Sequence, residues 1–153
     1  MAATNITPPC PIVYSVYALL DPRTETVYYV GQTTDLENRY YAHLSPNKGR
    51  KLTPVEKRNA ELKAVGIRPE LIVLDTIETF HHELALRLEE CWRLEMISRD
   101  EILANAWKTG RCIDSENPMQ EAAYIKQFAL VTDSQLAEMH ELDMQRAMRM
   151  VWG

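Results

Sequence analysis

A chain of 153 residues has room for one domain and a modest appendage. With 46% hydrophobic and 25% charged residues, it holds enough apolar material for a core that needs no disulfide or metal staple. Its formal charge of −5 argues against a protein that grips nucleic acid by bulk charge alone.

The first ten residues, Met1 to Cys10, lack the basic start and apolar run of a secretory leader. Residues 12–20, IVYSVYALL, are rich in β-branched and aromatic types and predict a strand. Asp21-Pro22-Arg23-Thr24 supplies turn chemistry, and VYYVG at 27–31 predicts the returning strand of a hairpin. Thr34 followed by Glu37 has the spacing of a capping box, so a helix is expected from there to about Leu44, where Ser45-Pro46-Asn47 ends it. A basic loop, NKGRK, follows. A second helix is predicted from Thr53 to Val65, closed by Gly66. Residues 70–75, ELIVLD, predict a third strand, and a long helix spans roughly Phe80 to Arg99. Asn117-Pro118 marks a joint, beyond which 119–130 and 133–151 have the pattern of two further helices. No stretch has the length of a membrane span.

This order predicts an α/β (α+β) fold: a small three-stranded mixed or antiparallel sheet flanked by helices, with a C-terminal helical extension. The expected division is a domain over 12–110 and an extension over 117–153 that packs on or near it. The last helix is apolar on more than one side, through Leu136, Met139, Met144, Ala147, Met148, Met150 and Val151. Packing onto the domain's own core is the plain reading, and a homodimer contact through adaptable methionines is the sharper one. No zinc-finger or helix-turn-helix signature is present in this tail.

Charge is unevenly placed. From Arg39 to Lys63 lie seven basic residues, among them Lys48, Arg50, Lys51, Lys57 and Arg58, against Glu56 and Glu61. The segment is therefore +5 and the remainder −10. A solvated face or a local phosphate contact both fit that patch. The cysteines, Cys10, Cys91 and Cys112, form no C-x-x-C pair, which argues against structural zinc and for reduced thiols in a cytoplasmic protein.

Several polar residues stand out within this framework. Tyr14, Tyr17, Tyr28 and Tyr29 crowd the hairpin, where β-propensity alone would explain them. Arg39 and His43 are four residues apart, on one face of the first helix. Such a pair offers a planar fork of donors for a phosphate and a proton carrier beside it. On the long helix Glu89 shares a stripe with Ala85, Trp92 and Met96. A carboxylate there is costly unless it is paired or bound to a metal. Glu89 is therefore the candidate functional acid, with a position at the stripe's rim beside a basic partner as the alternative. Glu90, flanked by Arg87 and Arg93, is expected to be a solvated surface carboxylate.

These residues resemble the GIY-YIG nuclease superfamily. Ser15-Val16-Tyr17, then Tyr29-Val30-Gly31, is similar to the paired motif that names that family. Gln32-Thr33, Arg39 eight residues after Gly31, and His43 continue the likeness, as do Leu62, Gly66 and Pro69, the set Ala85, Glu89 and Trp92, and Asn105. The resemblance covers about residues 12–105 and departs from the usual pattern at Ser15, at Val30 and in AWKTG after Asn105. It implies a divalent-metal-dependent endonuclease that leaves 5′-phosphate and 3′-hydroxyl ends on DNA, in a bacterial, phage or mobile-element setting. Tyr17 and Tyr29 would position or deprotonate the attacking water, and Arg39 would hold the scissile phosphate. His43 would support proton transfer, Glu89 would be the sole protein ligand of one Mg2+ or Mn2+ ion, and Asn105 would brace the site. A catalytically silent binding or interaction module with the same fold is the alternative.

Overall fold

The computed structural model describes residues 10–45, 51–104, 111, 112, 114, 116–131 and 138. Three strands, β1 (Ile12–Asp21), β2 (Thr26–Thr33) and β3 (Glu70–Thr79), form an antiparallel sheet in the order β2-β1-β3. Four helices complete the element order: α1 (Leu36–Leu44), α2 (Pro54–Ala64), α3 (His82–Ser98) and α4 (Pro118–Gln127). Among the described residues, no helix is long and apolar enough to cross a membrane.

The sheet separates two apolar clusters. Val16, Ala18, Val30 and Ile77 face α3 and α4 and pack with Leu84, Leu88, Cys91, Ala122 and Ile125. Tyr17, Leu19 and Tyr28 join Leu62 of α2 in the other cluster, with Leu36, Tyr40 and Val55 against them. The alternation Val16-Tyr17-Ala18-Leu19 thus supplies both faces of the central strand, as the period-2 geometry of a strand buried on both sides requires. Residues 133–151 apart from Glu138, residues 46–50 of the basic loop and Asn105 lie outside the described residues, as do the methionine face and the dimer contact expected of it.

Local chemistry explains most boundaries. At the hairpin turn Glu25 takes a positive φ of 57° and its N–H donates to Asp21 O at 2.8 Å. Thr53 and Glu56 form a reciprocal capping box at the start of α2, with Pro54 in the first turn. Gly66, with φ of +74°, ends that helix. Its N–H donates to Lys63 O and the N–H of Ile67 to Leu62 O, the pairing of a Schellman motif. Two boundaries differ from expectation. The cap of α1 is Asp35, not Thr34: its carboxylate accepts from the N–H of Asn38 at 3.1 Å. A charged acceptor aimed at the positive end of a helix outcompetes a hydroxyl one residue earlier. Strand β3 also runs on to Thr79 rather than stopping near Asp75, because β1 pairs with it as far as Ile12↔Thr79.

One irregularity shapes everything near the hairpin. Leu19 pairs with Tyr29, but Leu20 pairs with Val27, so Tyr28 is an extra residue in β2. A bulge of this kind lets two consecutive side chains point to the same side of the sheet. Tyr28 and Tyr29 accordingly both join the α1–α2 cluster.

The end of β1 is held to α2 by charge. The Asp21 side chain is fully buried and accepts from the backbone and guanidinium of Arg23 and from Arg58 at 3.1 Å. Hydrogen bonds from Arg23 hold its carboxyl down to about 2, against the opposing effect of burial. A depressed folded-state value stabilises the fold above the ordinary value of 3.8, and that contribution is lost as pH falls through about 2. Asp21→Ala is expected to cost about 1–3 kcal/mol in denaturant unfolding at neutral pH. It should also flatten the acid limb of stability between those two values.

Candidate active site

Gly31 stands directly opposite Tyr17 in the β1–β2 ladder. A Cβ on Gly31 would come within 2.7 Å of the Tyr17 hydroxyl and 2.8 Å of a Tyr29 ring carbon, closer than real contacts allow. Only glycine leaves room for the two rings to close over the strand. They lie tilted at 45° with centroids 6.0 Å apart. Tyr17 is completely buried, while Tyr29 is half-buried at the rim.

Helix α1 brings Arg39 and His43 onto this pair. Arg39 Nε donates to the Tyr17 hydroxyl oxygen at 3.1 Å, and its Nη2 lies 3.5 Å from the Tyr29 hydroxyl. His43 Nε2 is 2.7 Å from the Tyr17 hydroxyl, and its ring meets that of Tyr29 edge-on at 5.1 Å. Burial, helped by the Arg39 charge, pushes His43 down to about 4, so the ring is neutral near pH 7. Burial and the neighbouring Tyr29 raise Tyr17 well above the ordinary phenol value, and Arg39 opposes that rise. Two further residues complete the cluster and were not foreseen. Tyr28 donates to Asn59 Oδ1 at 2.6 Å, and Asn59 Nδ2 is 3.4 Å from His43 Nδ1. The spacing Val55-Asn59-Leu62, one stripe of α2, is the signal that picks out Asn59.

On α3, Glu89 is half-buried, and among the described residues no hydrogen bond or ion pair involves its carboxylate. Burial raises its carboxyl above the ordinary range; Arg93, Arg111 and Arg39 pull the other way, and Glu90 adds to the rise. Glu90 corrects the sequence reading. It is 2% exposed, not solvated, and pairs with Arg93 at 3.1 Å. Arg87 is equally buried and pairs with Glu121 of α4 at 3.0 Å. The arginines beside Glu90 therefore mark buried ion pairs rather than a wet face, because α3 is covered on more sides than its apolar stripe suggests.

The remaining candidates separate clearly. Lys51 and Lys57 are exposed, whereas Arg58 is bound to Asp21 and stacks over the Tyr28 ring at 5.4 Å. Lys48, Arg50 and Asn105 lie outside the described residues. Trp92 donates from Nε1 to Asp75 at 3.1 Å, which ties α3 to β3. Cys91, Cys112 and Glu121 bring potential metal-ligating atoms within 4.8 Å of one another. Glu121 there is already engaged by Arg87 and by the N–H of Asp114 at 2.6 Å. A guanidinium in that position repels a second cation, so the group reads as a buried polar contact.

Two substitutions test this geometry without any assay of activity. Gly31→Ala must displace both tyrosine rings and is expected to destabilise by about 1–3 kcal/mol, with altered ring-proton shifts for Tyr17, Tyr29 and His43. Glu89→Gln removes a half-buried charge that, among the described residues, has no hydrogen bond or ion pair. Its melting temperature should equal or exceed that of the wild type near pH 7, the opposite of what loss of a structural acid does.

Neither a curated protein nor a solved structure matches the chain. Residues 13–92 match the family description of the GIY-YIG catalytic domain, a span that takes in Tyr17, Tyr29, Gly31, Arg39, His43 and Glu89 and exceeds half of the 153 residues. With the three-stranded antiparallel sheet and the facing tyrosines over Gly31 that Arg39 and His43 meet, the chain belongs to the GIY-YIG nuclease family.

Proposed function

We propose that this protein is a divalent-metal-dependent endonuclease that hydrolyses DNA and leaves 5′-phosphate and 3′-hydroxyl ends. Glu89 carries the reading: a half-buried carboxylate with no hydrogen bond or ion pair among the described residues, with Arg39 among the charges that act on it. A lone hard oxygen donor suits Mg2+ or Mn2+, which keep most of their waters and accept a phosphate oxygen in place of one. Held by Glu89, such an ion would offset the charge that gathers on the phosphate in the transition state.

The chain's own residues supply the rest. Arg39 is exposed, and its hydrogen bonds to both tyrosines pre-set its direction, so its fork meets a scissile phosphate without reorganising. Tyr29, at the rim, reaches the attacking water. Tyr17, buried behind it, holds Arg39 and His43 in place. An ordinary phenol, with a pKa of about 10, is hard to ionise, and burial makes Tyr17 harder still, so Tyr29 at the rim beside Arg39 is the better placed of the two. Lys51 and Lys57 extend the positive surface for the DNA backbone. Lys48 and Arg50 would add to it, Arg58 contributes its charge while bound to Asp21, and Asn105 would brace the site. One such site cuts one strand per encounter, so cutting both strands takes a second copy or a second encounter. A bacterial, phage or mobile-element cytoplasm is the setting proposed.

Incubation with single-stranded, double-stranded and branched DNA, with and without Mg2+ or Mn2+, tests this. Cleavage is expected only with the metal, and Glu89→Ala should abolish it while the fold persists. Cleavage that Glu89→Ala leaves unchanged would remove the metal role, and no cleavage of any substrate would leave a binding module. Arg39→Ala should lower kcat by about 10²–10³-fold.

The pH dependence follows from the same groups. Glu89 holds a cation only when ionised, and its carboxyl lies above the ordinary 4.5. Cleavage at limiting metal should therefore fall on acidification before that value is reached. His43, pushed down to about 4, stays neutral across this window, so no step is expected near 6.5, the ordinary histidine value. A step there that disappears in His43→Gln would contradict the buried, neutral ring.

A further inference from the structure

We propose that Asn59 is a positioning residue that fixes the tautomer of His43, placing the imidazole proton on Nε2, where it is donated to the Tyr17 oxygen. Four contacts in series carry the inference. Tyr28 Oη lies 2.6 Å from Asn59 Oδ1, in a buried setting. A phenol's O–H is its only donor, and giving it to the amide oxygen leaves the amide nitrogen to face His43. Asn59 Nδ2 is 3.4 Å from His43 Nδ1. An amide NH2 only donates, so Nδ1 is the acceptor, and a neutral ring then carries its proton on Nε2. Nε2 in turn lies 2.7 Å from the Tyr17 hydroxyl oxygen, which also receives Arg39 Nε–H at 3.1 Å.

The bulge at Tyr28 is what makes this chain possible. In a regular strand Tyr28 and Tyr29 would face opposite layers. Here Tyr29 meets the edge of His43 while Tyr28 reaches round to the amide that orients it. The other groups around the imidazole do not reverse the assignment. Arg39 opposes a second proton on the ring, Glu56 of α2 favours one, and burial outweighs Glu56. Tyr17 and Tyr29 present ring edges and hydroxyls from β1 and β2.

In this arrangement His43 is not a resting-state acceptor for the Tyr17 proton. It is one of two donors converging on the Tyr17 oxygen, and both strengthen as that oxygen gains negative charge. Only this last consequence rests on the nuclease reading; the tautomer does not.

The test is therefore spectroscopic first. Long-range proton–nitrogen correlation on 15N-histidine-labelled protein at pH 7 distinguishes the two nitrogens of each of the four histidines, with His43→Gln giving the assignment. The expected result is a neutral His43 with a bare Nδ1 and a protonated Nε2. A proton on Nδ1 in the wild type overturns the proposal, whatever the outcome of any cleavage assay. Asn59→Asp keeps the size of the side chain and still accepts from Tyr28, but its carboxylate accepts from His43, so Nδ1 should gain a proton. An unchanged nitrogen pattern in that variant also overturns the proposal. Tyr28→Phe, which frees the amide to turn, provides an independent check: mixed tautomers are expected, and persistence of the wild-type pattern counts against the relay. In cleavage assays Asn59→Asp should lower kcat by roughly 10-fold with KM unchanged, the size of effect found for groups that orient a functional imidazole. Failure of the wild type to cut DNA would remove the nuclease reading and leave the tautomer result standing.

Discussion

The site depends on the approach of two tyrosine rings to a residue without a side chain. Tyr17 faces Gly31 across the β1–β2 ladder, and Tyr29 leans in from the same face. Because Gly31 has no side chain, the Tyr17 hydroxyl comes to rest over β2 instead of being lifted away from it. Arg39 and His43 then find that hydroxyl at the height of α1. Any side chain at Gly31 would move the Tyr17 hydroxyl first and both partners with it. Packing and polar geometry are one problem at this point, solved by the smallest residue.

The charged groups divide by what satisfies them. Asp21, Glu90 and Glu121 are buried, and each has an arginine within 3.1 Å. They hold elements together: hairpin to α2, one turn of α3 to the next, and α3 to α4. Glu89, one residue from Glu90, has no such partner among the described residues, and burial disfavours its charge. A protein selected only for stability has no use for that group, since a glutamine would fit the same space at lower cost. The contrast between neighbouring glutamates on one helix separates a structural acid from a functional one more sharply than exposure does. By exposure alone the two would have been ranked the wrong way round.

Much of this was legible in the residues and some was not. The hairpin, α2 with its capping box and Gly66, the alternation of β1 and the order of elements follow from local chemistry that tertiary contacts do not override. Arg39 and His43 were visible as an i, i+4 pair, and Glu89 as a carboxylate on an apolar stripe. Glu90 was misplaced because charged neighbours are the same signal for a solvated face and for a buried ion pair; only the packing of α3 decides between them. Asn59 was hidden because its partners, Tyr28 and His43, are 31 and 16 residues away, and no local pattern announces a bulge at a pair of identical residues. The cap of α1 slipped by one residue for a smaller reason, since Thr34 and Asp35 are both good caps and differ only in the strength of the acceptor.

The extra residue in β2 makes hairpin length and site composition inseparable. Deleting Tyr28, the one residue between Val27 and Tyr29, would restore an uninterrupted ladder with β1, in which Val27 and Tyr29 keep to opposite faces. The shortened sheet would pair at least as regularly as the natural one, yet its hydrogen-bonded series would lack a member. Among homologues or designed variants that differ in length here, a tidy hairpin is thus a sign of a dismantled site, and the irregular strand marks the working form.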